Sequence, residues 1–380
     1  MATQASGKRM SAKQHEAKRK RKIIIFAVEI LIILIMIAVL WMVMTKTSSG
    51  PKVTVLDPKE LEIPREIQQE KEEGGSMHGY LNIALFGLDA TTDKQLYKGS
   101  RSDSTMIASI NLDTGEIKLV SVYRDTYLYI AQGTPDELDS KGRLKNFSKC
   151  NAAYSIGGAE QAVKMLNTNL DMDIEHFITV GYKGLSEVID GLGGVWIDVD
   201  EVELKHINNY QISIMKDVFN SDKYDPVTET GYQLLNGIQA AAYCRIRYGG
   251  GDDYLRATRQ REVIKAIEEQ AKKADLVTLT KVFNEAIDDI YTNVDTDVIT
   301  EFLGSITKYK IVDEGGFPNE NMRTAANLGA KQSCIVPINL ESNVVWLHQF
   351  LFDDANYTVT DSVHLYDELI ASDTAKYINK

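Results

Sequence analysis

The sequence is poor in the residues that usually carry metal or redox chemistry. Its cysteines, Cys150, Cys244 and Cys334, are three in number and widely spaced, with no CxxC pair. That spacing gives neither a disulfide framework nor a zinc pattern, and it predicts three small buried hydrophobes. The six histidines show no HExxH or similar ligand spacing, which argues against a zinc enzyme. Positive charge is scarce as well: 42 Lys and Arg against 54 Asp and Glu leave a formal net charge of −12. Residues 1–22 nevertheless hold Lys8, Arg9, Lys13, Lys18, Arg19, Lys20, Arg21 and Lys22 against Glu16 alone, so the remainder is more acidic than the whole. An acidic body is a poor general binder of nucleic acid, because phosphate contacts carry most of that affinity.

Long apolar runs are also rare, and one stands out. Ile23 to Met44 is 22 almost wholly apolar residues, interrupted by Glu29. Such a run spans about 30 Å of hydrocarbon as a helix. No small-residue cleavage site follows it, so it reads as a retained anchor rather than a cleaved leader. The basic cluster before it predicts a cytoplasmic N-terminus and a body outside the cell membrane. The expected organisation is a basic tail at 1–22, a transmembrane helix at 23–44 and an extracellular linker at 45–77 with a short helix in its second half. A folded domain at 78–355 and a C-terminal extension at 356–380 complete it. A hydrophobic content of 44% and a charged content of 25% suit a folded domain with a sizeable core.

Within the body, Tyr80 to Phe86 is a short apolar run of the kind found in a strand covered on both faces. It ends in Gly87, Leu88 and Asp89. Arg101, Ser102 and Asp103 precede a second strand, Ser104 to Ile110. Asp113, Thr114 and Gly115 turn the chain into a third, Ile117 to Tyr123, which ends in Arg124 and Asp125. Three strand ends thus carry an acid or an arginine–acid pair, and α/β proteins place their sites at strand ends. Lys149 to Tyr154 lead through Gly157 and Gly158 into a helix expected at Ala159 to Leu170. A strand at His176 to Val180, a helix at Tyr182 to Asp190 and a strand at Val195 to Val199 follow. Helices are expected around Leu276 to Ile290, Asp297 to Lys310 and Ser342 to Phe352.

The densest cationic stretch is Gly231 to Gln260, with Arg245, Arg247, Arg256 and Arg259 inside fifteen residues. Ala240 to Tyr248 alternates as a strand would, which places Arg245 and Arg247 on one face. After a glycine turn at 249–251, Asp253, Arg256 and Arg259 or Gln260 recur at helical steps, again on one face. Two adjacent cationic faces repel unless an anion lies between them. Arginine's planar fork suits phosphate oxygens, so an anion site is expected here.

These motifs, taken in order, resemble the LytR-CpsA-Psr family of cell-envelope phosphotransferases. The likeness rests on Gly87-Leu88-Asp89, Arg101-Ser102-Asp103-Ser104, Ser121 to Thr126, Lys149 to Tyr154 with Gly157-Gly158, and Leu192 to Val195. It continues through Leu235-Asn236-Gly237, Tyr243, Arg245 and Arg247 to Asp253-Tyr254-Leu255-Arg256 and Arg259-Gln260, covering roughly residues 80–265. One departure is Tyr123, where the family usually has proline. The resemblance implies a three-layer α/β/α sandwich around a mixed central sheet, preceded by a transmembrane helix. It further implies transfer of a glycopolymer from an undecaprenyl diphosphate carrier to peptidoglycan, with a hydrophobic tunnel for the polyprenyl tail. By the same resemblance Asp89 and Asp103 would hold magnesium, with manganese as the substitute. Arg101, Arg124, Lys149, Arg245, Arg247 and Gln260 would bind phosphate, and Asp253, Arg256 and Arg259 would shape the same wall.

The residue types agree with such chemistry independently. Phosphoryl transfer depends on positioning and on neutralising spreading negative charge, which arginines and magnesium supply. Asp89, Asp103 and Asp125 are each candidates to take the acceptor's proton. Competing readings are a polyprenyl-diphosphate hydrolase with the same site, a non-catalytic lipid-carrier binding protein, and a transcription regulator. The last conflicts with the acidic body and the expected topology.

Overall fold

The computed structural model describes residues 56 and 58–378, apart from 91 and 248–251. The basic tail, the expected membrane helix at 23–44 and the glycine turn at 249–251 lie outside the described residues. Among the described residues, no helix is long and apolar enough to cross a membrane.

The apolar run at the start of the body forms β1 (Tyr80–Leu88), and the turn at 113–115 joins β2 (Ser102–Asn111) to β3 (Glu116–Val122). Two short strands follow and pair with each other, β4 (Tyr127–Tyr129) and β5 (Phe147–Lys149). Next come β6 (His176–Gly181), then β7 (Val195–Val199) and β8 (Gly231–Leu235), which make a separate ladder. β9 (Ile290–Thr292) and β10 (Lys310–Phe317) return to the main sheet, and β11 (Arg323–Asn327) pairs with β12 (Ser333–Pro337). The main sheet has the order β10-β3-β2-β1-β6-β9. Its β10–β3 and β1–β6 pairs are parallel and its other pairs antiparallel, which is the mixed sheet expected.

Strand alternation sorts the two faces of this sheet. Ala84, Phe86, Ile107, Val120 and Val122 share one core with the helices Asn151–Leu170, Leu340–Phe352 and Asp361–Ile378. Ser121 looks the other way and accepts a 2.7 Å hydrogen bond from Arg261 of the Asp252–Ala271 helix. Helices therefore lie on both faces. A second core joins β7 and β8 to the helices Tyr182–Gly191, Glu201–Phe219 and Gly237–Tyr243 through Ile189, Val195, Ile207, Ile214 and Leu235.

Segments expected at the margins reach into the main core. Leu61, Ile63, Ile67 and Met77 come from the stretch expected as a linker, which includes the short helix Arg65–Glu72. Val363, Tyr366 and Ile370 come from the expected C-terminal extension.

Two local expectations need correction. The stretch expected as a strand at 240–248 is the helix Gly237–Tyr243 followed by turns. Asn236 and Gln239 start that helix as a capping box, each side chain accepting from the other's N–H at 2.9 Å, and three alanines then favour helix. The helix expected from Ala159 begins at Asn151, and Gly158 sits inside it at φ 72° as a kink. Any side chain at that position would collide with the Tyr97 carbonyl oxygen, so only glycine fits. Residues 205–219, which carry no readable pattern, continue the 19-residue helix Glu201–Phe219.

Candidate anion-binding site

Strand ends place the site. Asp89 immediately follows β1. The β1–β2 register pairs Gly87 with Ser104 and Leu88 with Ser102, so Asp103 is the extra residue of a bulge. Bulges re-aim side chains, and this one lies next to the end of β1. Arg124 lies just past β3, while Arg245 and Arg247 sit on the turns after the Gly237–Tyr243 helix. With Arg101 and Arg256, these residues line a cavity of about 520 Å³ that Ser100, Tyr182, Tyr210 and Cys244 complete.

Asp103 is the hub. Its Oδ1 accepts from Arg124 at 2.6 Å, and its Oδ2 lies 3.6 Å from Arg247 and 3.9 Å from Arg256. Asp89 Oδ2 accepts from Arg245 at 3.0 Å. Arg245 also donates to Ser213 at 3.3 Å, with its guanidinium 5.0 Å from the Tyr182 ring and 5.6 Å from the Tyr210 ring. Five arginines thus face two aspartates, a local cationic surplus in an acidic protein. Arg256 is buried, and its Nε has no hydrogen-bond partner among the described residues. Burial lowers its pKa, and Arg247 and Arg124 add to that effect against Asp103 and Asp253. The guanidinium still remains charged. A bound anion would relieve that repulsion.

Burial likewise pushes the Asp89 carboxyl above its usual range; Arg245 opposes this while Asp103 and Asp217 reinforce it. Among the described residues, no group of three or more His, Cys, Asp or Glu is arranged to hold a metal. Two carboxylates with oxygen donors only fit magnesium when phosphate oxygens and water complete its shell.

The other expected residues stand behind this first layer. Asp125 pairs with Lys149 at 3.1 Å and lies 3.7 Å from Arg124 Nε. Asp253 lies 3.8 Å from the same nitrogen and 3.1 Å from Arg256. Lys149, Asp125 and Asp253 thereby brace Arg124 and Arg256. Arg259 and Gln260 turn away from the cavity. Arg259 Nε donates to Glu203 at 2.7 Å and its NH1 to the Ile246 carbonyl at 3.1 Å, while Gln260 Nε2 donates to the Cys244 carbonyl at 3.4 Å. Helical spacing put Asp253, Arg256 and Arg259 or Gln260 on one face; Glu203, on a helix that sequence reasoning did not find, pairs with Arg259 outside the cavity.

Tyr182, Tyr210 and Ser213 were missed. Tyr182 opens a helix directly after β6, so the strand-end argument used for β1 to β3 would have reached it. Tyr210 and Ser213 ride on the Glu201–Phe219 helix, whose available signal was the Asp200–Glu203 capping box. Tyr123, in place of the usual proline, meets Tyr254 edge-on at 4.7 Å, with the Arg323 guanidinium 4.8 Å and 3.8 Å from the two rings. Its hydroxyl occupies the space beside Gly316 that any side chain there would need. Arg124 keeps its contacts beside this substitution.

The model of the LytR_cpsA_psr family matches residues 43–331. The polyisoprenyl-teichoic acid–peptidoglycan teichoic acid transferase TagU of Enterococcus faecalis is 31% identical over 219 residues, covering 57% of this chain and 61% of that protein. The chain spans 52% to 61% of the length of three curated relatives it matches. Among solved structures, TagT bound to LI-WTA superposes with a TM-score of 0.56 at 19% identity, over 82% of this chain and 98% of that one. YwtF (TagT) with bound octaprenyl pyrophosphate lipid gives 0.51 at 17% identity, over 81% and 98%. Those structural likenesses establish the fold. The family match, extending over most of the sequence, establishes more: the chain belongs to the LytR_cpsA_psr family.

Proposed function

We propose that this protein transfers a glycopolymer from a polyprenyl diphosphate carrier to a hydroxyl of peptidoglycan. The observation that carries the reading is the convergence of five arginines on one cavity beside two carboxylates. A diphosphate is the ligand that such a surplus suits, because forked guanidiniums match its oxygens. The names of similar proteins support the same substrate class: TagU is called a teichoic acid transferase, and TagT holds an octaprenyl pyrophosphate.

In this reading the acceptor hydroxyl gives its proton to one of the carboxylates Asp89, Asp103 or Asp125, its oxygen bonds to the phosphorus that carries the glycan, and the bond from that phosphorus to the lipid phosphate breaks. Polyprenyl phosphate leaves. Arg124, Arg245, Arg247 and Arg256 take up the charge that develops on the phosphate oxygens, with Arg101 at the exposed rim. Because Asp125, Asp253 and Lys149 already brace Arg124 and Arg256, little reorganisation is needed at the moment of transfer. Asp89 and Asp103 would hold magnesium, or manganese in its place, and the ion would neutralise diphosphate charge. The apolar run at 23–44 would anchor the chain in the cell membrane with the body outside, where carrier and peptidoglycan meet.

The test uses the full chain in detergent with magnesium, a lipid-linked glycan and peptidoglycan. Glycan should become bound to peptidoglycan with release of polyprenyl phosphate, and Asp103→Ala should abolish both. Glycan released free rather than bound would establish the hydrolase instead. Unchanged transfer by Asp103→Ala would sink the metal assignment.

A further inference from the structure

Arg245 and Arg247 line the cavity, yet they sit in a segment that is neither helix nor strand. The turn bonds there run from Arg245 N to the Ala242 carbonyl and from Ile246 N to the Tyr243 carbonyl, at 3.0 and 3.2 Å. What secures the two carbonyls flanking Arg245 comes from elsewhere. Gln260 reaches the Cys244 carbonyl and Arg259 the Ile246 carbonyl, both from the Asp252–Ala271 helix. Arg259 is in turn fixed by Glu203, and the side chains of this pair are each 7% exposed. Glu203 is itself shared: its Oε2 accepts from the Asp200 N–H at 2.9 Å and caps the Glu201–Phe219 helix. That helix carries Ser213 and Tyr210 to the other side of Arg245.

We propose that Arg259 is a positioning residue, not a phosphate ligand, and that the Glu203–Arg259–Ile246 relay sets where Arg245 and Arg247 meet the substrate. A guanidinium is required because its rigid fork serves Glu203 with one nitrogen and the carbonyl with another, which a single ammonium on a flexible stem does poorly. The pair is buried and out of the cavity, so its effect on substrate runs through the turn. A small displacement of aligned cationic groups weakens transition-state contacts more than ground-state ones.

This inference rests on the transferase reading, and the experiment keeps the two apart. Full-chain protein in detergent is compared as wild type, Arg259→Lys, Glu203→Gln, the double variant of these, and Glu203→Leu with Arg259→Leu, which removes both charges at similar bulk. Transfer from a lipid-linked glycan is measured as kcat and KM, and exchange of the amide hydrogens of residues 244–247 by mass spectrometry. Positioning predicts that Arg259→Lys and Glu203→Gln each lower kcat by about tenfold or more, with KM changed less. The two losses should not add in the double variant, because both break one relay. Amide exchange at 244–247 should quicken in every variant. A rise in KM confined to the Arg259 variants, with Glu203→Gln silent, would make Arg259 a direct ligand and overturn the proposal. So would wild-type kcat and exchange in the folded double-leucine protein. If wild type itself transfers nothing, the transferase reading fails, and the exchange data alone decide whether the relay holds the turn.

Discussion

The two ends of the molecule treat buried polar groups differently. Behind the sheet, Asn167 donates to the Leu61 and Ile174 carbonyls and accepts from the Ile174 N–H, all near 3.0 Å. Asn169 likewise spans the N–H and carbonyl of Tyr129, and Asp171 accepts from Tyr357 and Thr360. These partners are neutral, and the arrangement is satisfied without any ligand. At the cavity the partners are charges, and arginines outnumber the acids they face. An anion would complete that arrangement. On the proposed reading, stability and substrate binding rest on separate side chains, and substitutions should show it.

The sharpest way to break this comparison is Arg124→Ala. Arg124 touches Asp103 directly and has Asp125 and Asp253 within 4 Å, so its loss uncouples the hub from its bracing layer. Transfer should fall by about 10³-fold, as when a preorganised donor to a developing anion is removed. The urea midpoint should move little, because the site is open to water. At the opposite end, Asn167→Ala leaves three buried backbone groups without partners and should cost about 3 kcal/mol. Urea unfolding reads that loss, while kcat and KM of the folded fraction should stay at wild-type values. A large kinetic effect from Asn167→Ala would dissolve the separation.

A pH titration probes the packed end by itself. His348 is fully buried against Tyr357, and burial holds its pKa down to about 4 from the ordinary 6.5. The unfolded chain binds this proton more readily than the folded one. Stability from His348 is thus complete above pH 6.5 and is lost as pH falls through the window down to about 4. The slope from this group is at most about 1.4 kcal/mol per pH unit. His348→Gln keeps a donor for the Leu170 carbonyl and does not titrate, so it should flatten that part of the urea-stability profile. An unchanged slope would mean that another group carries it.

Much of the sheet was legible because strands covered on both faces leave short apolar runs. β1, β2, β3 and β6 appear where the runs stand, and Asp89, Arg101, Asp103 and Arg124 at the ends of the first three converge on the cavity as strand-end logic requires. The helix at 237–243 was misread because Tyr243 to Arg247 alternates like a strand, while the stronger local signal was the Asn236–Gln239 box ahead of three alanines. The helix at 201–219 was unread for a related reason. Its buried positions include Glu203 and Gln211, so no clean apolar stripe announces it. That omission hid Tyr210, Ser213 and the partner of Arg259 together. Long-range pairing of this kind leaves no local trace: Glu203 and Arg259 are 56 positions apart.

The smallest expected effect tests the cavity wall that this helix supplies. Tyr210 presents its ring 5.6 Å from the Arg245 guanidinium, opposite Tyr182 at 5.0 Å. Tyr210→Phe keeps the ring face and should leave transfer within about twofold of wild type. Tyr210→Ala removes it, and KM for the lipid-linked glycan should rise about two- to fivefold, since such a contact at a partly exposed site is worth about 0.5–1 kcal/mol. Tyr210 also packs against the second core, so Tyr210→Ala should lower the urea midpoint modestly while Tyr210→Phe leaves it unchanged. If Tyr210→Ala lowered stability as far as Asn167→Ala does, the helix would belong to the packed half rather than to the site. The Arg245 environment would then be a by-product of folding. A rise in KM with a loss of stability well short of that from Asn167→Ala would instead place Tyr210 among the residues that hold Arg245 ready for its anion.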